Sequence, residues 1–72
     1  MIDNDKILFK LSCKLQFFRE LRCYTQSQVA ERVGISEVSI SRYENMRSVP
    51  DAITLYKLAE CYGVSVADFF KK

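Results

Sequence analysis

Apolar residues recur at helical spacing in five separate runs along the chain. In the first run, Leu8, Leu11, Leu15 and Phe18 are three or four residues apart and form one stripe of a helix. The 2 glycines and the single proline fall between the runs rather than within them. The pattern predicts an all-α fold with helices at about residues 6–22, 26–33, 37–45, 52–62 and 66–70.

Residues that cap helices stand at the predicted helix ends. Thr25 comes directly before the second run and Gln28 follows three residues later, which is the spacing of a capping box. The other predicted N-terminal caps are Asp3 or Asp5, Ser36 and Ser65, and the predicted C-terminal glycines are Gly34 and Gly63.

The second and third helices have the spacing of a helix-turn-helix. Gly34 provides a turn free of Cβ strain, Ile35 fills the space between the helices, and Ser36 caps the third helix. Around Ile40 the third helix is apolar. The opposite face carries short, mostly hydrogen-bonding side chains and one positive charge, which suits a major groove about 12 Å wide. Its residues are Val38, Ser41, Arg42 and Asn45.

Length and composition narrow the functional classes. A chain of 72 residues predicts one helix-turn-helix domain over residues 1–72, without a separate effector or catalytic domain. Residues 6–49 carry eight Lys or Arg and four Glu, a balance of +4. This bias is compatible with a phosphate-bearing partner but does not establish one.

Several chemistries are disfavoured. The chain has no His, which removes the commonest general base and metal ligand. Cys13, Cys23 and Cys61 do not form the close pairs of a zinc site. We therefore expect no enzyme activity, no metal, no cofactor and no small-molecule ligand. The odd cysteine count, without a signal peptide or a membrane-length apolar run, predicts a cytoplasmic protein away from membranes.

Longer stretches of the chain resemble a known family. "FFREL", "YTQSQVAERVGIS", "VSISRYEN" and "ITLYKLAECYGVSVADFF" are similar to the phage-repressor-like helix-turn-helix family, also called lambda-repressor-like, Cro/CI-type or XRE-type. The similarity extends from Leu11 to Phe70. It implies a compact five-helix DNA-binding domain, bacterial or phage-encoded, whose third helix reads double-stranded DNA.

The resemblance also implies roles for individual residues. Thr25 and Gln26 match phosphate-contacting positions at the start of the second helix, where the Gln also braces the start of the reading helix. Arg19 and Glu44 match an ion pair between the first and third helices. The matching base-reading positions are Glu37, Val38 and Arg42, the flanking positions are Ser41 and Asn45, and the basic residue of the following loop is Arg47.

Some positions depart from the family pattern. Cys23 stands where a Gly commonly allows a positive φ. Met46 replaces the common Gly after the third helix, so we expect Asn45 to take the left-handed conformation. Cys13 and Cys61 are expected to be small buried residues.

The predicted function is a sequence-specific transcription regulator that binds a near-palindromic operator as a homodimer. The alternative is an antitoxin-type interaction module whose main partner is a toxin protein, and this role would require an exposed apolar patch separate from the dimer surface. Glu37 is open to two interpretations, a base contact or a favourable charge at a helix start. Candidate phosphate contacts are Lys14, Arg19, Arg32 and Arg47, and candidate dimer-patch residues are Phe17, Ile53, Tyr56 and Phe70.

Overall fold

The structure, a computed structural model, describes residues 1–71, and these contain helices but no strand. The all-α fold class is confirmed. The four α-helices are α1 (Asn4–Leu21), α2 (Gln26–Val33), α3 (Glu37–Glu44) and α4 (Ala52–Tyr62). The fifth element, the final turn predicted over 66–70, is the 3-10 helix Val66–Phe70. Among residues 1–71, no helix combines the length and the hydrophobicity that a membrane span requires.

Side-chain caps set where the helices begin. Asp3 accepts hydrogen bonds from the backbone N–H groups of Asp5 and Lys6, so α1 begins slightly earlier than predicted. At the start of α2, the Thr25 hydroxyl accepts from the Gln28 N–H (3.1 Å), and the Gln28 side chain accepts from the Thr25 N–H (2.8 Å). The predicted capping box is therefore confirmed.

The helix-turn-helix unit is fixed by local hydrogen bonds. Gly34 adopts the left-handed conformation at φ 81°, and its N–H donates to the carbonyl of Ala30. Ser36 then accepts from the Ser39 N–H at 3.1 Å and starts α3. The turn between α2 and α3 thus depends on a residue that tolerates positive φ and a hydroxyl cap.

All five elements contribute to one hydrophobic core. Leu11 and Leu15 of α1 are buried, which confirms the predicted stripe, and Phe18 meets Phe69 edge to face at 5.9 Å. Burial raises the pKa of Tyr62 above its ordinary value. The remaining buried apolar residues are Val29, Ala30, Val33, Ile40, Leu58 and Ala59.

The two cysteines expected in the core lie nearer the surface. Cys13 is exposed, so that prediction is wrong, because two residues after Leu11 the helix has turned by about 200° away from the core. Cys61 is partly buried, and desolvation raises the pKa of its thiol.

Two helices end on residues that are not glycine. Cys23 has φ 60° and Met46 has φ 62°. The prediction that Asn45 takes the left-handed conformation is wrong, because its φ is −105°. Asn45 continues the last turn of α3, where its N–H donates to the Ser41 carbonyl, and the chain reverses one residue later. The Arg47 N–H then closes the end on the Arg42 carbonyl at 2.8 Å.

The conformation of Cys23 makes a testable prediction about stability. Cys23→Gly should be more stable than Cys23→Ala by about 0.5 to 1 kcal/mol, because glycine relieves left-handed strain at only a partly offsetting entropic cost. Urea unfolding of both variants measures the difference. Both lack the thiol, so equal stabilities would contradict the assignment of strain to this backbone position.

Candidate nucleic-acid interface

Helix α3 has one buried side and one open side. Ile40 is 1% exposed and anchors the inner side in the core, whereas Val38 is 59% exposed on the outer side. Arg42, Glu37 and Asn45 are also exposed, and Ser41 is half-buried. The structure thus brings the residues of the predicted reading face together on an open surface.

An ion pair between α1 and α3 holds the far end of α3. The Arg19 Nε donates to Glu44 Oε2 at 2.7 Å, and its Nη2 donates to Oε1 at 2.9 Å. The Arg19 Nη1 donates to the Tyr24 carbonyl at 2.9 Å. The side chains of Arg19 and Glu44 are only 13% and 4% exposed. The hydrogen bonds to Glu44 raise the pKa of Arg19.

Gln26 joins this pair from the start of α2. Its Nε2 donates to Glu44 Oε1 at 3.1 Å. The family resemblance implies that Gln26 braces the start of α3, whereas its contact in the structure is to Glu44 at the end of α3. One carboxylate therefore receives donors from α1 and α2, an arrangement that the sequence analysis missed because only the Arg19 partner was inferred.

The start of α2 offers backbone N–H groups toward a ligand. Thr25 is exposed, and its hydroxyl is engaged by the Gln28 N–H. The other N–H groups of the first turn have no acceptor within the helix, which is the usual setting for a phosphate contact. Gln26, held by Glu44, fixes the direction of this turn.

Asn45 is tied back to its own helix. Its Nδ2 donates to the Ser41 carbonyl at 2.8 Å and approaches the Ser41 hydroxyl at 3.4 Å. The spacing of four residues, which places both side chains on one helix face, was the available signal for this contact. The bond engages the side-chain nitrogen of Asn45, and the residue remains exposed.

Three of the four candidate phosphate-contacting cations are engaged by other side chains of the protein. Arg19 is engaged by Glu44, and the Lys14 Nζ lies 5.9 Å from the ring centres of Phe17 and Phe18 on α1. Arg32 stacks on Tyr24 at 4.6 Å.

Arg32 also lines a groove between α2 and α4 with Lys57, at the opposite end of α2 from Thr25. The fourth cation, Arg47, is exposed in the loop directly after α3. Within residues 1–71, no group of side chains is arranged to hold a metal ion.

Similarity to known proteins supports the helix-turn-helix arrangement of α2 and α3. Residues 15–69 match the helix-turn-helix family, and the chain belongs to it, as a phage-repressor-like, XRE-type member. The resemblance seen in the sequence is confirmed.

Two relatives carry the name of regulators. The chain is 32% identical over 57 residues to an uncharacterized HTH-type transcriptional regulator of Methanocaldococcus jannaschii, covering 79% of this chain and 86% of the relative. It is 38% identical over 55 residues to the HTH-type transcriptional regulator ImmR of Bacillus subtilis, covering 76% of this chain. The second alignment spans only 43% of the length of ImmR.

The buried carboxylate makes a prediction about stability. Glu44→Gln should lower the free energy of unfolding by about 2 to 4 kcal/mol, because Arg19 would remain largely buried without its counter-charge. Urea unfolding measures this loss. The control is Glu31→Gln on the exposed side of α2, which should change stability by less than about 0.5 kcal/mol. If both variants lost the same small amount, Glu44 would not organise the interface.

Proposed function

We propose that this protein is a sequence-specific regulator that binds a near-palindromic operator as a homodimer, in the DNA-binding and transcription-regulating role of its family. The observation that supports this most is the open outer face of α3, whose opposite side is anchored in the core by Ile40 and whose end is paired with Arg19 through Glu44. The protein would act in the cytoplasm, where its operator lies.

Base recognition is assigned to the outer face of α3. Arg42 follows Val38 by one helical turn, so both side chains enter the same stretch of major groove. A guanidinium donates to guanine O6 and N7, and an aliphatic side chain contacts a thymine methyl group. To Glu37, at the first position of α3, we assign acceptance from a cytosine amino group.

Contacts to the DNA sugar-phosphate backbone are assigned to the segments that flank α3. The first turn of α2, at Thr25 and Gln26, presents N–H groups to one phosphate. Arg47, in the loop after α3, reaches another on the far side of the groove. These contacts orient α3 without reading sequence.

A dimer follows from the small number of base contacts that one α3 provides. Two copies related by a two-fold axis would place their α3 helices about 34 Å apart, in successive major grooves. Doubling the contacts increases specific affinity before the cost of association is subtracted.

The outer face of α4 is the surface that we assign to the dimer. Ile53 and Tyr56 are 70% and 62% exposed, and Lys57 and Glu60 are exposed beside them. A face that carries both charge signs next to apolar side chains is complementary to its own copy. Phe17, which the sequence also suggests as a dimer-patch residue, is on α1 and packs against Phe18.

The reading face can be tested by comparing two arginines. Arg42→Ala should remove the preference for one base pair in each half-site and keep non-specific affinity nearly intact, at a cost of about 1 to 3 kcal/mol for the preferred base. Arg47→Ala should weaken all sequences about equally and reduce the salt slope by about one per subunit. An operator is first selected from genomic fragments, and its single-base variants are then titrated at two salt concentrations.

Both arginines are exposed, so both variants should remain folded and serve as controls for each other. If Arg42→Ala weakened every base variant equally, Arg42 would be a phosphate contact and the proposed reading face would be wrong.

The dimer surface is tested by two glutamate substitutions at similarly exposed apolar positions. Ile53→Glu should convert the dimer to a monomer, because it buries a charge at the centre of the contact. Leu21→Glu, on α1, should leave the dimer unchanged. Sedimentation at micromolar concentration measures both. A wild-type monomer that binds DNA without cooperativity would refute the dimer, and a dimer that survives Ile53→Glu would place its interface elsewhere.

A further inference from the structure

One side of α1 exposes apolar side chains that neither DNA nor the proposed dimer covers. Ile7, Phe17 and Leu21 are 44%, 53% and 62% exposed. Phe70, from the 3-10 helix, lies beside Ile7 along a shallow groove of about 270 Å³. Together with the lysines among them, these α1 residues form what we call the α1 flank: Lys6, Ile7, Lys10, Lys14, Phe17 and Leu21.

The α1 flank points away from the reading helix. Arg19 marks the side of α1 that faces α3, because its guanidinium reaches Glu44. At about 100° per residue, Phe17 and Leu21 lie about 160° around the helix from Arg19, and Lys10 lies about 180° from it. The flank therefore stays open when α3 enters a major groove, and its lysines do not belong to the same DNA contact.

Every charge on the α1 flank is positive. Its charged members are Lys6, Lys10 and Lys14, spaced one helical turn apart. Among residues 1–71, the ion pairs are Arg19 with Glu44 and Asp68 with Lys71, so none of these lysines has an acidic partner. The flank is thus an apolar surface with a row of unneutralised ammonium groups.

The lysine charges distinguish between the possible binding partners of the α1 flank. A second copy would bring one lysine row against another, and like charges disfavour such a contact. A membrane-surface helix separates its apolar face from its charged face. Here lysines and apolar side chains alternate around the helix, so insertion would bury ammonium groups. An acidic protein segment meets neither objection.

We propose that the α1 flank binds an acidic amphipathic helix of a different protein. Carboxylates of that helix face Lys6, Lys10 and Lys14, and its apolar side chains pack on Phe17 and Leu21. The distance from Lys6 to Leu21 is about 22 Å along the axis, so the partner helix needs about four turns. The surface goes beyond the proposed DNA function, and the protein holds this partner and DNA at the same time.

The test uses the full chain and a synthetic helical peptide of about four turns with Glu and Leu on one face. A second peptide has Lys in place of every Glu. Fluorescence anisotropy should show binding of the Glu/Leu peptide only, and amide chemical shifts should change along the α1 flank. Lys10→Glu should weaken the Glu/Leu peptide about tenfold or more, because one attraction becomes a repulsion.

The matched control is Arg32→Glu, which makes the same change of charge on α2 and should alter peptide affinity by less than about twofold. Both variants should keep operator affinity, which shows that they are folded and separates this test from the DNA function. The proposal is overturned if neither peptide binds, if the two peptides bind equally, or if Lys10→Glu and Arg32→Glu weaken binding equally. Tighter binding to phosphatidylglycerol vesicles than to the Glu/Leu peptide would overturn it in favour of a membrane.

Discussion

The carboxylate of Glu44 links side chains of three helices, because α3 carries it and α1 and α2 donate hydrogen bonds to it. It lies at the last residue of α3 and receives three hydrogen bonds, two from Arg19 and one from Gln26. Because the side chain is almost fully buried, loss of Arg19 would leave its charge without compensation, and loss of Gln26 would remove one hydrogen bond to it. The orientation of α3 relative to α1 and α2 therefore depends on this carboxylate together with the buried Ile40 and the turn at Gly34.

The hydrogen bonds to Glu44 link the stability of the fold to the proposed recognition of DNA. Gln26 begins α2, whose first turn is assigned to a phosphate, and Glu44 ends α3, whose outer face is assigned to the bases. The bond between these two side chains fixes the start of α2 against the end of α3, and thereby the spacing of the two proposed DNA contacts in the free protein. Such preorganisation reduces the ordering cost of binding.

Local signals predicted most of the fold. The capping residues Thr25 and Ser36 and the left-handed Gly34 are where the sequence pattern placed them, because each acts through its own backbone neighbours. Longer-range facts were less accessible. The Gln26–Glu44 bond and the placement of Arg32 on Tyr24 depend on how helices pack, which spacing along the chain does not encode. Met46 took the left-handed conformation expected of Asn45 because the last turn of α3 extends through Asn45.

In the proposed complex, the outer face of α3 contacts base edges in the major groove. Intermolecular nuclear Overhauser effects between the isotope-labelled protein and its selected operator test it most directly. We expect contacts from the Val38 methyl groups and the Arg42 side chain to base protons of the major groove. Contacts from α3 to sugar protons only, or contacts that map to α1 in place of α3, would contradict it.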